Sequence, residues 1–409
     1  MRLSLSGPLV ACALLACQAL QAQPSVVVTF NSLPERVRAQ NPELAAARLR
    51  ISEALGRSKQ SGRLDNPQLE TSFQHNQNFR EGAVEIGVSQ KFPITSRLRQ
   101  EKDISLTELK AAEFEVRQVE QKLVAEANQS LVEVLAIRQR RELLTRQVTV
   151  TNELADSITK AAEKGEGSIL DAGQARVEAM QASTEARQLD AKEAAALGAL
   201  KPLLGMRPQE GLVISGTLPP PLVPAVAGDP SKRADYQVSK LETSAAEQSI
   251  ALEQSKRRED WEAGAFISGE RTEDAPNGYE NEAVVGMRLK IPLPLWNKND
   301  GAIEEAQAKH KRKQLESVAL ASSIRHEAEA ARAEMREWAK LIQDIESNLL
   351  PLAAKQAEQT ETAWRNGQSD FQTVLKSRAQ RLQLDVTRLD ALRDFHLARA
   401  RYQAALGNP

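Results

Sequence analysis

The chain has 409 residues, 4% of them aromatic and 27% charged, with 54 Lys and Arg against 55 Asp and Glu. That length can bury a large core, but so few aromatics among so many charges argue for long helices and coiled coils over ordinary globular packing. The net charge of −1 offers no basic excess for nucleic acid and no basic run for an anionic lipid surface.

The first segment, residues 1–22, reads as an export signal. Arg2 supplies the positive start, and Leu9 to Leu20 (LVACALLACQAL) is an apolar run too short to span a bilayer. A small-residue cleavage site follows at Ala22–Gln23, and cleavage there removes both cysteines, Cys12 and Cys17. The alternative is lipidation of Cys17, where LLAC resembles a bacterial lipobox with Leu15 as a poor fit. No later apolar run reaches the roughly 18 residues of a membrane helix. An exported chain of this kind is either soluble in the periplasm or enters a membrane as a β-barrel.

From residue 23 the chain reads as one unit written twice, 23–217 and 231–409, around the proline-rich linker LPPPLVPAVAGDP at 218–230. Each copy opens with a helical stretch, Asn41–Gln60 in the first and Asp235–Arg257 in the second. Each continues with two strand-like runs. Gln68–His75 and Val84–Phe92 make the first pair, and Trp261–Glu270 and Ala283–Ile291 the second. Val84, Ile86 and Val88 alternate with Glu85, Gly87 and Ser89, a period of two that suits a half-buried strand and equally a lipid-facing one. The segments Asn76–Gly82 and Arg271–Asn281 read as polar hairpin tips. A small soluble sheet capping a helical body fits these hairpins as well as a barrel does. Four strands cannot close a barrel, for which about eight is the minimum, so a membrane reading requires several chains.

A helix of unusual length follows each strand pair. Ser96 to Lys164 runs 69 residues without Pro or Gly, and Ala302 to Asn366 runs 65, broken only by Pro351, where a kink is expected. Apolar seams recur at Leu123, Ala127, Leu131 and Val134 and at Leu375, Ala379, Leu382, Val386 and Leu389, as in knobs-into-holes packing. A plain rod or two-stranded coiled coil shares this pattern but has no use for strand hairpins at one end of each long helix.

Each long helix ends in a glycine turn, KGEGSILDAGQAR (Lys164–Arg176) and RNGQSDFQTVLKSR (Arg365–Arg378), and a further helix ends in Leu-Gly 40 residues after the turn glycine. Gly165 and Gly167 supply the open backbone of the first reversal and Gly367 that of the second. Ser168 with Asp171 reads as a capping box, and Ser369 with Gln372, or Asp370 alone, caps the other helix. The four histidines, His75, His310, His326 and His396, are scattered, and His326 beside Glu327 and Glu329 reads as surface charge. No Ser-His-Asp order, P-loop or dinucleotide motif is present, so no enzyme, cofactor or tight metal site is expected.

The order and spacing of these parts, together with NPEL at Asn41–Leu44, the two glycine turns and IPLPLWNKNDGAIEEAQA at Ile291–Ala308, resemble the TolC-type outer-membrane efflux channels over nearly the whole mature chain. The last stretch most resembles the CzcC-like branch, which exports heavy-metal cations. The resemblance implies a mainly α homotrimer with a small β part. Its α-barrel tunnel of long antiparallel coiled-coil helices joins a 12-stranded barrel in outer-membrane lipid. It implies passive conduction from a periplasmic adaptor (membrane fusion) protein and an inner-membrane RND-type pump. A channel for drugs or type I protein secretion, and a soluble periplasmic coiled-coil adaptor or scaffold, are the alternatives. The tips Gly165, Glu166, Gly167, Ser168, Gly367, Gln368 and Ser369 would dock the adaptor. Asp171 matches a family Asp that ties the closed mouth, Trp364 falls where the family can carry its Tyr partner, and Ser369 falls where a gating Arg can stand. The two acidic positions of the family constriction correspond to Thr373 and Lys376, which puts an acidic cation gate in doubt and leaves Asp370 or Phe371 as candidates.

Overall fold

The computed structural model describes residues 26–165, 168–224, 229–274 and 276–408. The export signal at 1–22 with Cys17, the tip residues Glu166 and Gly167, and part of the 218–230 linker lie outside the described residues. A short strand β1 (Val26–Val28) leads into helix α1 (Leu33–Gln40) and then α2 (Pro42–Gln60). Asn41 separates these two helices by leaving helical geometry at ψ 122°, and its side chain accepts from the Leu44 amide at 3.0 Å. Proline in the first helical turn loses nothing, because that amide has no partner there.

Strands β2 (Gln68–His75) and β3 (Gly82–Phe92) precede α3 (Arg97–Glu163), 67 residues long and therefore about 100 Å at about 1.5 Å per residue. Helix α4 (Ile169–Leu203) returns antiparallel to it, and strand β4 (Leu212–Ile214) pairs in parallel with β1. The second copy repeats the plan with α5 (Ala234–Ser255), β5 (Trp261–Asp274), β6 (Gly278–Lys290), α6 (Asp300–Asp344), α7 (Leu350–Arg365) and α8 (Phe371–Ala405). No described helix is long and apolar enough to cross a membrane.

The two hairpins join into one four-stranded antiparallel sheet in the order β2-β3-β5-β6, with β3 and β5 paired from Gly82↔Arg271 to Phe92↔Trp261. The expected loop Arg271–Asn281 is largely strand, since pairing continues through Thr272↔Glu280 to Asp274↔Gly278. Its charged residues hide the alternation, and the Arg271 guanidinium lies 4.1 Å over the Tyr279 ring across the ladder. Most of the large apolar residues of the sheet lie on one face. Leu69, Phe73, Val84, Ile86, Val88, Ile267, Val285, Met287 and Leu289 share one face, and they are exposed, Phe73 by 74% and Met287 by 90%.

The expected kink at Pro351 takes a specific form. The helix passes through a π-helical turn, Ile345–Leu349, and Pro351 falls in the first turn of α7. The Leu350 amide bonds to the Ile345 carbonyl, five residues back. Widening the turn accommodates a ring that would otherwise meet the carbonyl four residues back.

The main core gathers around the middle of α3, where Leu123, Ala127, Leu131 and Val134 are buried against Leu200, Leu392 and Phe395. The small parallel pair β1 and β4 also belongs to it, through Val28 and Ile214. The second expected seam is looser: Val386 and Leu389 are buried, Leu375 and Leu382 are half-buried, and Ala379 is exposed. An open cleft between α3 and the α7–α8 pair accounts for this, because Leu382 lines it.

The copies end alike. Gly205 (φ +65°) and Gly407 (φ +68°) terminate α4 and α8, and a Cβ would lie 2.1 Å from the Gln40 carbonyl oxygen in one case and 2.7 Å from that of Lys232 in the other. Gln121 on α3 fastens the second end, donating to the Gly407 carbonyl at 2.8 Å and accepting from the Ala234 amide at 3.1 Å. Gly205→Ala therefore costs at least about 1–3 kcal/mol through the left-handed backbone and the clash, whereas Gly198→Ala, inside α4 with open space around it, gains about 0.5–1 kcal/mol. Thermal unfolding followed by circular dichroism checks both signs.

Candidate functional site: the paired helix tips

Two helix reversals lie at the end of the molecule away from the sheet. In the first, α3 stops at Lys164, and Gly165 turns left-handed at φ +77° with its amide on the Ala162 carbonyl at 3.0 Å. In the second, Gly367 turns at φ +69°, its amide on Trp364 at 2.9 Å, and the Gln368 amide reaches back to Ala363 at 2.8 Å. A side chain at φ near +70° is strained, which explains the glycine at both places.

The caps differ from expectation. Ser168 occupies the N-cap of α4 but makes no side-chain cap bond, so the Ser168–Asp171 capping box is not formed. Asp171 instead places its charge in the first turn of α4, beside the positive end of the helix dipole. At α8 the cap is Asp370 and not Ser369 with Gln372: its carboxylate accepts from the Thr373 amide at 2.9 Å and from the Thr373 hydroxyl. That hydroxyl, with the amide, holds the Asp370 carboxyl below its usual range.

The hairpins meet in a small apolar cluster. Ala155 and Ile158 of α3, Ala172 and Ala175 of α4, and Phe371 and Val374 of α8 pack together, with Trp364 of α7 against them. Trp364 and Phe371 sit with ring centroids 5.6 Å apart at 51°. Phe371 is 1% exposed, so within the chain it is a core residue. The polar link between the hairpins is not Asp171 to Trp364 among the described residues. At the tips it is Gln372 of α8, whose Nε2 donates to Oε1 of Gln174 on α4, while farther back Arg140 of α3 pairs with Asp390 of α8 at 3.6 Å. Thr373 and Lys376 are exposed one helical turn apart on α8, as are Gln368 at the turn and Ile169 and Leu170 at the start of α4.

Sequence reasoning missed the Gln174–Gln372 pair and the cluster itself. The signal was present in Ala172, Ala175 and Ala179, a spacing of three and four that puts small residues on one buried stripe. It also missed Glu361 on α7, which accepts from Arg365 at 2.6 Å and from Arg378 of α8 at 2.6 Å. The Arg378 hydrogen bond chiefly holds the Glu361 carboxyl below its ordinary value. Behind the cluster the hairpins part around the open cleft of ≈ 840 Å³, with Arg146 and Gln147 on one side and Lys355, Glu358, Arg381 and Asp385 on the other. Among the described residues no group of three or more His, Cys, Asp or Glu is placed to hold a metal ion. His396 is buried, and its Nε2 lies 2.8 Å from the Pro219 carbonyl oxygen. Desolvation lowers its pKa.

Two outcomes follow from this geometry. Phe371→Ala removes the largest side chain of the cluster at a local cost of about 3–5 kcal/mol, so hydrogen exchange accelerates at the ends of α3, α4, α7 and α8 and not in the sheet. Glu361 has a depressed folded pKa, so its contribution is present above the ordinary value of 4.5 and is lost as pH falls through the lower folded value. Glu361→Gln therefore lowers the melting temperature near neutral pH and flattens part of the wild-type decline below about 4.5.

Residues 33–206 match the family model described as outer membrane efflux protein. No curated protein matches the sequence. The fold is similar to that of the channel CusC, with TM-score 0.76 and 18% identity over 93% of this chain and 92% of that one. It is similar to the Vibrio cholerae outer-membrane protein VceC, with TM-score 0.75 and 18% identity over 93% and 96%. The Neisseria gonorrhoeae outer-membrane channel MtrE aligns with TM-score 0.70 and 13% identity over 93% and 89%. The chain thus has the outer-membrane efflux channel fold, mainly helical with one small antiparallel sheet.

Proposed function

We propose that the chain is a TolC-type outer-membrane efflux channel. Three copies join their sheets into a 12-stranded barrel in lipid and their helices into a periplasmic tunnel. The observation that carries this reading is the sheet: one face exposes apolar side chains on all four strands, and both edge strands, β2 and β6, lack a second neighbour among the described residues. From Trp261 to Gly269 the apolar face runs nine residues along β5, close to the roughly ten of a tilted membrane strand. Phe92 and Trp261, paired on that face, stand at its helix-side border, and Phe73 stands toward the other. A soluble adaptor or scaffold has no use for such a face.

The turns at Gly165, Ser168, Gly367, Gln368 and Ser369, with Glu166 and Gly167 between the first two, then form the tunnel mouth and dock a periplasmic adaptor that connects to an RND-type inner-membrane pump. Asp171, Trp364, Asp370, Thr373 and Lys376 belong to the gate, with Phe371 as the buried pin of the closed state. Cargo passes through without tight binding. Heavy-metal cations are the proposed cargo, on the resemblance of Ile291–Ala308 to the CzcC-like branch. Drug efflux and type I protein secretion are the competing outcomes.

Membrane fractionation tests the placement: recovery in outer membranes as a heat-labile trimer is expected, and a soluble periplasmic monomer overturns it. Deletion tests the cargo, with increased sensitivity to Zn, Co, Cd, Ni, Cu or Ag salts expected. Unchanged metal tolerance with altered drug or protein export refutes the cation assignment and keeps the channel.

A further inference from the structure

The polar face of the sheet carries an arrangement that the channel reading leaves unexplained. Phe266 of β5 sits on this face among Glu70, Glu85, Ser89 and Ser268. A strand side chain ordinarily stands roughly perpendicular to the sheet. Phe266 instead lies sideways over β6. It stands opposite Gly286, and a Cβ at that glycine would lie 2.4 Å from Cζ of the ring. Its other neighbour is also glycine, Gly87 of β3, whose Cβ would lie 3.0 Å from that of Phe266. Glycine at 286 thus provides the space into which the ring folds.

Arg288, two residues along β6, then crosses the sheet. Its guanidinium lies 5.2 Å from the Phe266 ring centroid, donates to Glu85 of β3 at 2.7 Å, and donates to Glu70 of β2 at 3.0 Å. Ser89 fixes Glu70 from the other side by donating at 2.8 Å. One arginine therefore spans from one edge strand to the other, pressed along the wall and over the ring. Two carboxylates oppose one guanidinium, so the clasp carries a local charge of −1.

We propose that Gly286, Phe266 and Arg288, held by Glu70 and Glu85, form a folded-back lining that sets the bore and the charge of the channel lumen, keeping it open and attractive to cations at this height. The proposal rests on the reading above that the polar face lines a lumen. With a side chain at 286 the ring must swing off the wall into the passage. With both carboxylates neutralised the guanidinium is released, and the local charge turns from negative to positive. A strand staple alone would hold the sheet together without changing what passes along it.

The test uses the purified protein in lipid vesicles, with Gln68→Cys as a reporter. Gln68 is exposed on the polar face, two residues nearer the helices than Glu70. Retention of a heat-labile trimer checks the fold of each variant. Labelling rates are measured with a cationic and an anionic methanethiosulfonate of matched size, and with maleimides of increasing size. The reporter alone should favour the cationic reagent. Adding Glu70→Gln with Glu85→Gln should reverse that preference, and Arg288→Gln should strengthen it. Gly286→Ala should slow the large maleimide more than the small one, and Phe266→Ala should abolish that effect of Gly286→Ala. Unchanged charge preference in the clasp variants, or a size effect of Gly286→Ala that persists without the ring, overturns the proposal and leaves the channel reading intact. A reporter that no reagent reaches in the folded trimer overturns the lumen reading, and this proposal with it.

Discussion

Among the described residues the four-stranded sheet is open at both edges. Strands β2 and β6 each pair with one neighbour among those residues, so each leaves a row of backbone N–H and C=O groups free for a further strand. A soluble protein protects such edges with charges, bulges or covering loops. Here the edge strands carry charges on one face, Glu70 on β2 and Arg288 and Lys290 on β6. On the opposite face they expose Leu69 and Phe73 of β2 and Val285, Met287 and Leu289 of β6. On the proposed reading the apolar surface and the open edges are both resolved by a closed barrel in lipid, for which four strands require further copies.

Much else in the chain follows from placing that sheet at one end of a long protein. Each strand pair feeds a helix, α3 in one copy and α6 with α7 in the other, and each helix reverses at a glycine. The reversals are held by unequal forces. Around the middle of α3 the core draws on α1, α2, α4, α6 and α8 together, while at the tips six buried residues and one glutamine pair join the hairpins. Between them lies the cleft that separates α7 and α8 from α3. Apolar burial is the main cohesive term, so a cluster this small lets the tips part at far lower cost than the core. On the proposed reading, such a division suits a mouth that opens while its base stays intact.

The parts of this fold that repeat were legible in the sequence. The two glycine turns, the Leu-Gly ends and the period of two in Val84 to Val88 each reflect a local backbone requirement, and local requirements show in local residues. What stayed hidden was non-local. Nothing in Val26–Val28 or Leu212–Ile214 announces that they pair across nearly the whole first copy. The extension of β5 to Asp274 depends on Arg271 meeting Tyr279, a cross-strand contact masked by charges that read as loop. At the tips, Ser168 followed by Asp171 satisfies the capping pattern without forming the bond, whereas Asp370, offered only as an alternative, does form it. The tip residues differ in exposure for the same reason: Thr373 and Lys376 are exposed, but the burial of Phe371 is set by Ala155, Ile158 and Ala175 on other helices.

Pairing between β6 of one chain and β2 of the next is the claim on which the account turns. Its most direct test is disulfide cross-linking of cysteines scanned in pairs along the two edges, Ser72 or Gln74 on β2 with Glu282 or Val284 on β6, in a chain otherwise stripped of its native cysteines. The account predicts covalent trimers from membranes for at least one register, with little cross-linking within a chain. Membrane-inserted protein that forms only intrachain bonds, or none in any register, would contradict it.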